Sequence, residues 1–262
     1  MQMITQPTKL FLFFILMAGL TLAGCDLEKI QEHADDGHSW AYEGENGPDH
    51  WGALNSEWEA CSEGREQSPI NLTSAVVFEI DDPVFSYHQT DLNLKNNGHT
   101  IQQTYAAGSS MEVDDVVYQL LQFHFHSPAE HSVDGVLSPM ELHLVHQAAD
   151  GSLAVVGLLI EAGDFNPAFN GIMNGLPILE DEVHASDGIQ VNAANFLPVA
   201  RTTYRYAGSL TTPPCSQGVA WMVMTNKIQL SAEQIALYTD IFHATNRLVQ
   251  LLKDRVLVQD AS

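Results

Sequence analysis

Residues 122–135 read QFHFHSPAEHSVDG, with Gln122, His124 and His126 alternating with Phe123 and Phe125. Residues two apart on a β-strand share a face, so the polar set points one way and the aromatic pair the other. Residues 141–147, ELHLVHQ, follow the same rule: Glu141, His143 and Val145 share a face, and His146 turns away. Suppose the two segments are antiparallel neighbours ~4.8 Å apart, with His124 and His126 ~7 Å apart along theirs. Three imidazoles then converge on one ion. This requires His143 to stand across from an even-numbered residue of the first strand, unless a bulge intervenes, because a one-residue slip turns it to the wrong side.

Three neutral imidazoles with one open position suit zinc, one ion per chain, in a catalytic site. Structural zinc sites are closed and usually rich in cysteine, and no cysteine lies in either segment. Gln122 and Glu141, two residues from His124 and His143 on the same faces, are placed to fix ring orientation and tautomer. Any one of these histidines alone would be read as an ordinary core or surface residue. The spacing, the third ring and the polar neighbours together point to a metal.

Outward from these segments the texture is β. Short alternating or apolar runs recur: AVVFEI (75–80), TIQQTY (100–105), VVYQLLQFHFH (116–126), LAVVGLLIEA (153–162), TTYRYAGSL (202–210) and VAWMVMT (219–225). Turn signals separate them at Asp82-Pro83, Asn97-Gly98, Asp134-Gly135, Asp150-Gly151 and Asp187-Gly188. Helices are few. In SAEQIALYTDIF (231–242), Ser231 and Gln234 are spaced as a capping box ahead of apolar residues, and a shorter helix is expected near Pro167. The expected fold class is mainly β (α+β): a single domain with a large, mostly antiparallel twisted central sheet and a few peripheral helices.

The 262 residues show no Pro/Gly/Ser linker and no internal repeat, and 45% apolar content suffices for a core. Thirty-three acidic against 10 basic residues leave a formal charge of −23, which repels phosphate backbones and excludes nucleic acid as a partner. The acidity is spread along the chain, a pattern of solubility and saline surroundings rather than of a site.

Residues 1–24 carry Lys9, an apolar run from Leu10 to Leu22, and small residues before Cys25. The run is short for a membrane span and reads as the core of a signal peptide. The ending Leu22-Ala23-Gly24-Cys25 resembles a bacterial lipoprotein box, with Cys25 lipidated. The expected organisation is a signal peptide (1–24), an acidic tether (25–39), one domain (40–258) and a short tail (259–262). The expected location is the periplasm or cell envelope, with membrane contact only through lipid on Cys25. Of the three cysteines, Cys61 and Cys215 then remain as a pair in an oxidising compartment.

From Trp40 to Val258 the chain resembles the α-class carbonic anhydrases. The resemblance lies in NGPDHWG, GREQSPINL, NNGHT, QFHFHSPAEH, ELHLVHQ, LAVVGLL, GSLTTPPCSQGVAW and, more loosely, NRLVQLLKDRVL, taken in this order and spacing. It implies reversible hydration of carbon dioxide to bicarbonate and a proton by attack of zinc-bound hydroxide, with zinc on His124, His126 and His143. It implies that Glu130 and Thr211 act as a gatekeeping pair. An ionised carboxylate only accepts hydrogen bonds, so the Thr211 hydroxyl donates to Glu130 and accepts from the hydroxide. The Thr211 N–H would receive bicarbonate or an inhibitor. Val145, Val155, Leu210, Val219 and Trp221 match the family's apolar wall for carbon dioxide, with Thr212 in the same pocket. His99 matches the proton shuttle, suited by an imidazole pKa near neutrality, and Tyr42, Asn97 and Gln102 match positions that hold a water chain. Cys61 and Cys215 fall where secreted members carry a disulfide. Anions and sulfonamides are implied as inhibitors, and a monomer or homodimer as the assembly.

The sequence departs from the family at Ser127, where many members carry Trp, and at Leu248 and Leu251, where prolines are frequent. Two other readings compete. In a cupin, His124-x-His126-x-x-x-Glu130 would make Glu130 a fourth ligand, but the second half of that motif is absent. A binding or adhesion module on the same fold usually lacks one or more of the zinc ligands, whereas all three stand here, and a zinc store would need neither Thr211 nor the apolar wall.

Overall fold

The computed structural model describes residues 39–261. The signal peptide, Cys25, nearly all of the acidic tether and Ser262 lie outside the described residues. No helix among those described is long and apolar enough to cross a membrane.

The expected runs all form strands. They join a 13-stranded sheet whose main path, edge to edge, is 183–191, 90–96, 101–104, 116–126, 140–148, 153–162, 217–224, 203–209, 258–260 and 76–78. Most neighbours are antiparallel. The pairs 153–162 with 217–224 and 258–260 with 76–78 run parallel.

Alternation divides the core between the two faces. Phe123 and Phe125 on Val116–His126, with Leu142 and Leu144 on Met140–Ala148, are fully buried with Leu94, Val156, Leu158 and Phe169 on one side. Each such side chain adds roughly 1.5–3 kcal/mol when removed from water. On the other side, Val145, Val155, Tyr206, Val219 and Trp221 form a second buried cluster. The apolar seam thus faces away from the polar triplet, as the two-residue period demands.

The helix Ala232–Thr239 has the capping box Ser231–Gln234. Its buried Tyr238 packs 5.8 Å from the Phe125 ring and donates its hydroxyl to the Phe125 carbonyl at 2.8 Å. The helix expected near Pro167 is one 3₁₀ turn, Pro167–Phe169, continued by the four-residue α-turn Asn170–Met173.

Two sequence readings are corrected. Gln259 and Asp260, expected in the tail, extend the domain instead: Val258–Asp260 forms a strand between Thr203–Ser209 and Val76–Phe78, with Tyr204 opposite Gln259 and Val258 opposite Val76. Polar Gln259 and Asp260 give no apolar run by which the sequence could reveal this strand. Asp187-Gly188 does not separate strands; it lies inside Val183–Val191, where the register shifts between Ser186 and Gln190. Thr90–Asn96 was overlooked, although Thr90, Leu92, Leu94 and Asn96 alternate inward in perfect period.

Candidate metal centre

In the antiparallel pair, His143 lies directly opposite His124, Val145 opposite Gln122, and Glu141 opposite His126. The even-numbered partner is therefore met. The register shifts only beyond Val145, before His146, which turns into the opposite core and meets the Tyr87 hydroxyl at 2.7 Å. Ring centroids in the trio are 4.6–5.3 Å apart, and one nitrogen of each ring lies within 4.8 Å of the others.

The remaining nitrogens are committed. His124 Nδ1 meets Gln122 Oε1 at 2.9 Å, His143 Nε2 meets Glu141 Oε1 at 3.0 Å, and His126 Nδ1 donates to the Thr245 carbonyl. Oxygen acceptors require N–H at those positions. The proton therefore sits outward on each ring, and His124 Nε2, His126 Nε2 and His143 Nδ1 are left with bare lone pairs. His126 Nε2 is buried without a hydrogen-bond partner. Burial, reinforced by the neighbouring imidazoles, holds His124 well below the usual histidine range and lowers His126 too. Burial thus favours the neutral form of His124 and His126. A three-nitrogen donor set with an orphaned buried atom fits zinc.

Gln122 and Glu141 stand where strand periodicity puts them. Glu141 is fully buried and accepts four hydrogen bonds: from His143, from the His131 ring (2.8 Å), and from the backbone N–H groups of Glu130 (2.9 Å) and His131 (2.8 Å). Burial alone would raise its pKa, but His131 and His143 together hold it well below the usual carboxylate range. His131 continues to the Tyr206 hydroxyl at 2.7 Å, which donates to Ser68 at 2.9 Å.

Glu130 is fully buried; its Oε1 accepts the Arg247 backbone N–H at 2.8 Å. Its Oε2 lies 3.6 Å from His126 Nε2 and 3.9 Å from His143 Nδ1, and has no hydrogen-bond partner among the described residues. Buried Thr211 begins the turn leading into the cis Pro213-Pro214 peptide, and no hydrogen bond joins its hydroxyl to Glu130. The expected Thr211-to-Glu130 bond is therefore not made in this structure, although Glu130 Oε2 remains free to accept it.

The apolar wall is assembled across three strands: Val145 pairs with Val155, Val155 with Trp221, and Leu153 with Val219. Leu210 packs against this cluster, and Trp221 stands 4.9 Å from the His143 ring. Half-buried Thr212 accepts the Cys215 N–H on its carbonyl. Cys61 and Cys215 are disulfide-bonded, 154 residues apart in sequence.

His99 is presented by a tight turn. Gly98 takes φ +81°, and Asn97 Oδ1 accepts the backbone N–H groups of His99 (3.0 Å) and Thr100 (2.9 Å). Asn97 thus shapes the turn. The His99 ring stacks on Trp40 at 3.6 Å, with Tyr42 edge-on at 6.4 Å, and burial lowers its pKa. Burial raises the Tyr42 pKa well above its usual value, keeping the phenol protonated. Gln102 faces His124 across the adjoining strand pair.

Sequence reasoning missed His131, Tyr206, Ser68, Thr245, Arg247 and Gly157. Only His131, beside Glu130, and the isolated glycine within LAVVGLL carried a signal.

Three histidines able to hold a metal ion, on one face of a large twisted sheet and beside an apolar wall, form a candidate metal centre of the catalytic type. Comparison with known proteins identifies the family. The chain belongs to the eukaryotic-type carbonic anhydrases, whose family model matches residues 46–257. It is 42% identical over 226 residues to a carbonic anhydrase of Nostoc sp., covering 84% of this chain and 86% of that protein. A hyperthermostable carbonic anhydrase from a hydrothermal vent chimney superposes with a TM-score of 0.82 at 40% identity, covering 85% of this chain and all of the other. The Thermovibrio ammonificans α-carbonic anhydrase, solved with sulfanilamide, gives a TM-score of 0.82 at 36% identity, covering 85% of this chain and 99% of that one.

Proposed function

We propose that this chain catalyses the reversible hydration of carbon dioxide to bicarbonate and a proton, with one zinc ion on His124, His126 and His143. The observation that carries this reading is the trio of bare imidazole nitrogens within 4.8 Å of one another, set beside the apolar wall. When bound, zinc supplies a water acidic enough to serve as a nucleophile at neutral pH.

The chain's own residues do the rest. Gln122, Thr245 and Glu141 hold the rings in the tautomers that leave lone pairs facing inward. The Thr211 hydroxyl, not bonded to Glu130 here, would act by turning to donate to the free Glu130 Oε2, leaving its own oxygen to accept from the nucleophile while its N–H receives the product anion. Val145, Val155, Leu210, Val219 and Trp221 hold a small apolar substrate against the centre, and Thr212 borders it. His99 carries the released proton to solvent through a water chain bordered by Tyr42, Asn97 and Gln102. Sulfonamides bind the centre as inhibitors, by analogy with the sulfanilamide complex of the Thermovibrio enzyme. Export to the cell envelope, with lipid on Cys25, is supported by the Cys61–Cys215 disulfide and by the lipoprotein-like box.

Stopped-flow measurement of carbon dioxide hydration by the zinc-loaded chain tests this function. Catalysis well above the uncatalysed rate, blocked by a sulfonamide, is expected. A zinc-loaded chain that does not accelerate hydration would favour a binding or storage protein.

A further inference from the structure

Arg247 is 1% exposed and has no carboxylate within ion-pair distance among the described residues. Its guanidinium is anchored instead on neutral acceptors: Nη1 donates to Gln67 Oε1 at 2.7 Å and the Ser68 carbonyl at 2.9 Å, and Nη2 to the Cys61 carbonyl at 2.6 Å. The cation also faces the Trp51 ring at 5.7 Å. Gln67 in turn donates to the Cys215 carbonyl at 3.0 Å, and Cys215 N–H donates to the Thr212 carbonyl at 2.8 Å. One guanidinium therefore grips both ends of the disulfide, one directly and one through Gln67, four residues from Thr211.

The segment this guanidinium anchors reaches the metal centre twice. Arg247 N–H donates to Glu130 Oε1, and the carbonyl of Thr245, two residues earlier, accepts from His126 Nδ1. With Oε1 held, Glu130 can turn only Oε2 toward the trio, and it does so at 3.6 Å from His126 Nε2.

We infer that Arg247 is a positioning residue for Glu130. Its side chain locks the 245–247 segment to the disulfide loop, so that the Glu130 carboxylate and the Thr211 turn keep a fixed relation across the centre. A planar five-donor fork can hold acceptors on two segments at once, which a lysine ammonium does less well. The inference rests on the hydration reading for what Glu130 does, but the placement of Glu130 does not depend on turnover.

The test uses the full chain loaded with zinc, comparing wild type with Arg247→Met, Arg247→Lys and Gln67→Met. Arg247→Met should keep one zinc per chain, with kcat lowered about 10–100-fold, as is typical for lost outer-shell partners, and KM little changed. Arg247→Lys should recover part of the loss. Gln67→Met, which keeps the guanidinium but cuts its link to Cys215, should lower kcat several-fold. If Arg247→Met does not fold, the other two variants carry the test. The visible spectrum of the cobalt(II)-loaded chain is a second readout, because it reports the metal's surroundings whether or not the chain turns over. It should differ between wild type and each folded variant. Folded variants with wild-type kcat and wild-type cobalt spectra would overturn the inference and leave Arg247 a structural residue. A zinc-loaded wild type without hydration activity would overturn the hydration reading instead, and the cobalt spectra would still decide the role of Arg247.

Discussion

Gly157 stands directly across from His143 in the antiparallel pair, and a Cβ added there would lie 2.9 Å from Glu141 Oε1. The bare glycine makes room for the carboxylate that holds the His143 ring. Gly157→Ala should displace Glu141 and weaken zinc binding by about 10–100-fold, the usual cost of disturbing an outer-shell partner. Competition with a chelator measures it. Unchanged affinity in the folded variant would mean that Glu141 does not set the ring.

The metal trio was legible because its logic is local. Strand period decides which faces share residues, and the even-numbered register follows once the two strands are neighbours. Gln122 and Glu141 follow from the same period. Two of the residues that were missed, Thr245 and Arg247, reach the centre through groups every residue type carries. The Thr245 carbonyl orients His126 across 119 positions of sequence, and the Arg247 N–H reaches Glu130 across 117. No side-chain pattern announces a backbone donor or acceptor. The same reasoning explains the strands. Runs of Val, Leu and Phe betrayed themselves, whereas Thr90–Asn96 has only two large apolar residues and Val258–Asp260 only one.

His146 is fully buried on the far side of the sheet, and burial pushes its pKa down from 6.5 to about 4. The unfolded chain therefore binds a proton that the folded chain refuses between those values. Stability from this residue is present above pH 6.5 and declines as pH falls towards 4, by up to about 3 kcal/mol. Urea unfolding of wild type and His146→Gln at a series of pH values should show a shallower acid decline in the variant. Parallel curves would contradict a neutral buried imidazole.

The stack of His99 on Trp40 lowers the histidine pKa by burial. Trp40→Ala should move that pKa back towards the ordinary range, and NMR titration of the ring reads it directly. His99→Ala should slow turnover in dilute buffer by about 10-fold or more, within the range of general acid–base contributions, with recovery on adding imidazole. Wild-type rates at low buffer would remove His99 from the proton path and leave the metal chemistry intact.

Reducing the Cys61–Cys215 bridge opens a loop of 154 residues. In the chain-entropy picture this lowers stability by about 3–5 kcal/mol. Denaturant unfolding with and without reductant should show the loss as a lower midpoint, with a slope that is no smaller once the unfolded chain is released. Coincident curves would mean that the bridge does not restrict the unfolded chain.

The central claim is that His124, His126 and His143 hold one zinc ion on which carbon dioxide hydration depends. The most direct measurement titrates zinc into the chelator-treated chain while following bound metal and hydration rate together, for wild type and His143→Ala. Activity should rise linearly and saturate at one zinc per chain in wild type, while His143→Ala neither binds zinc tightly nor gains activity. Full activity in the metal-free chain, or saturation of His143→Ala at the same single equivalent with undiminished rate, would contradict it.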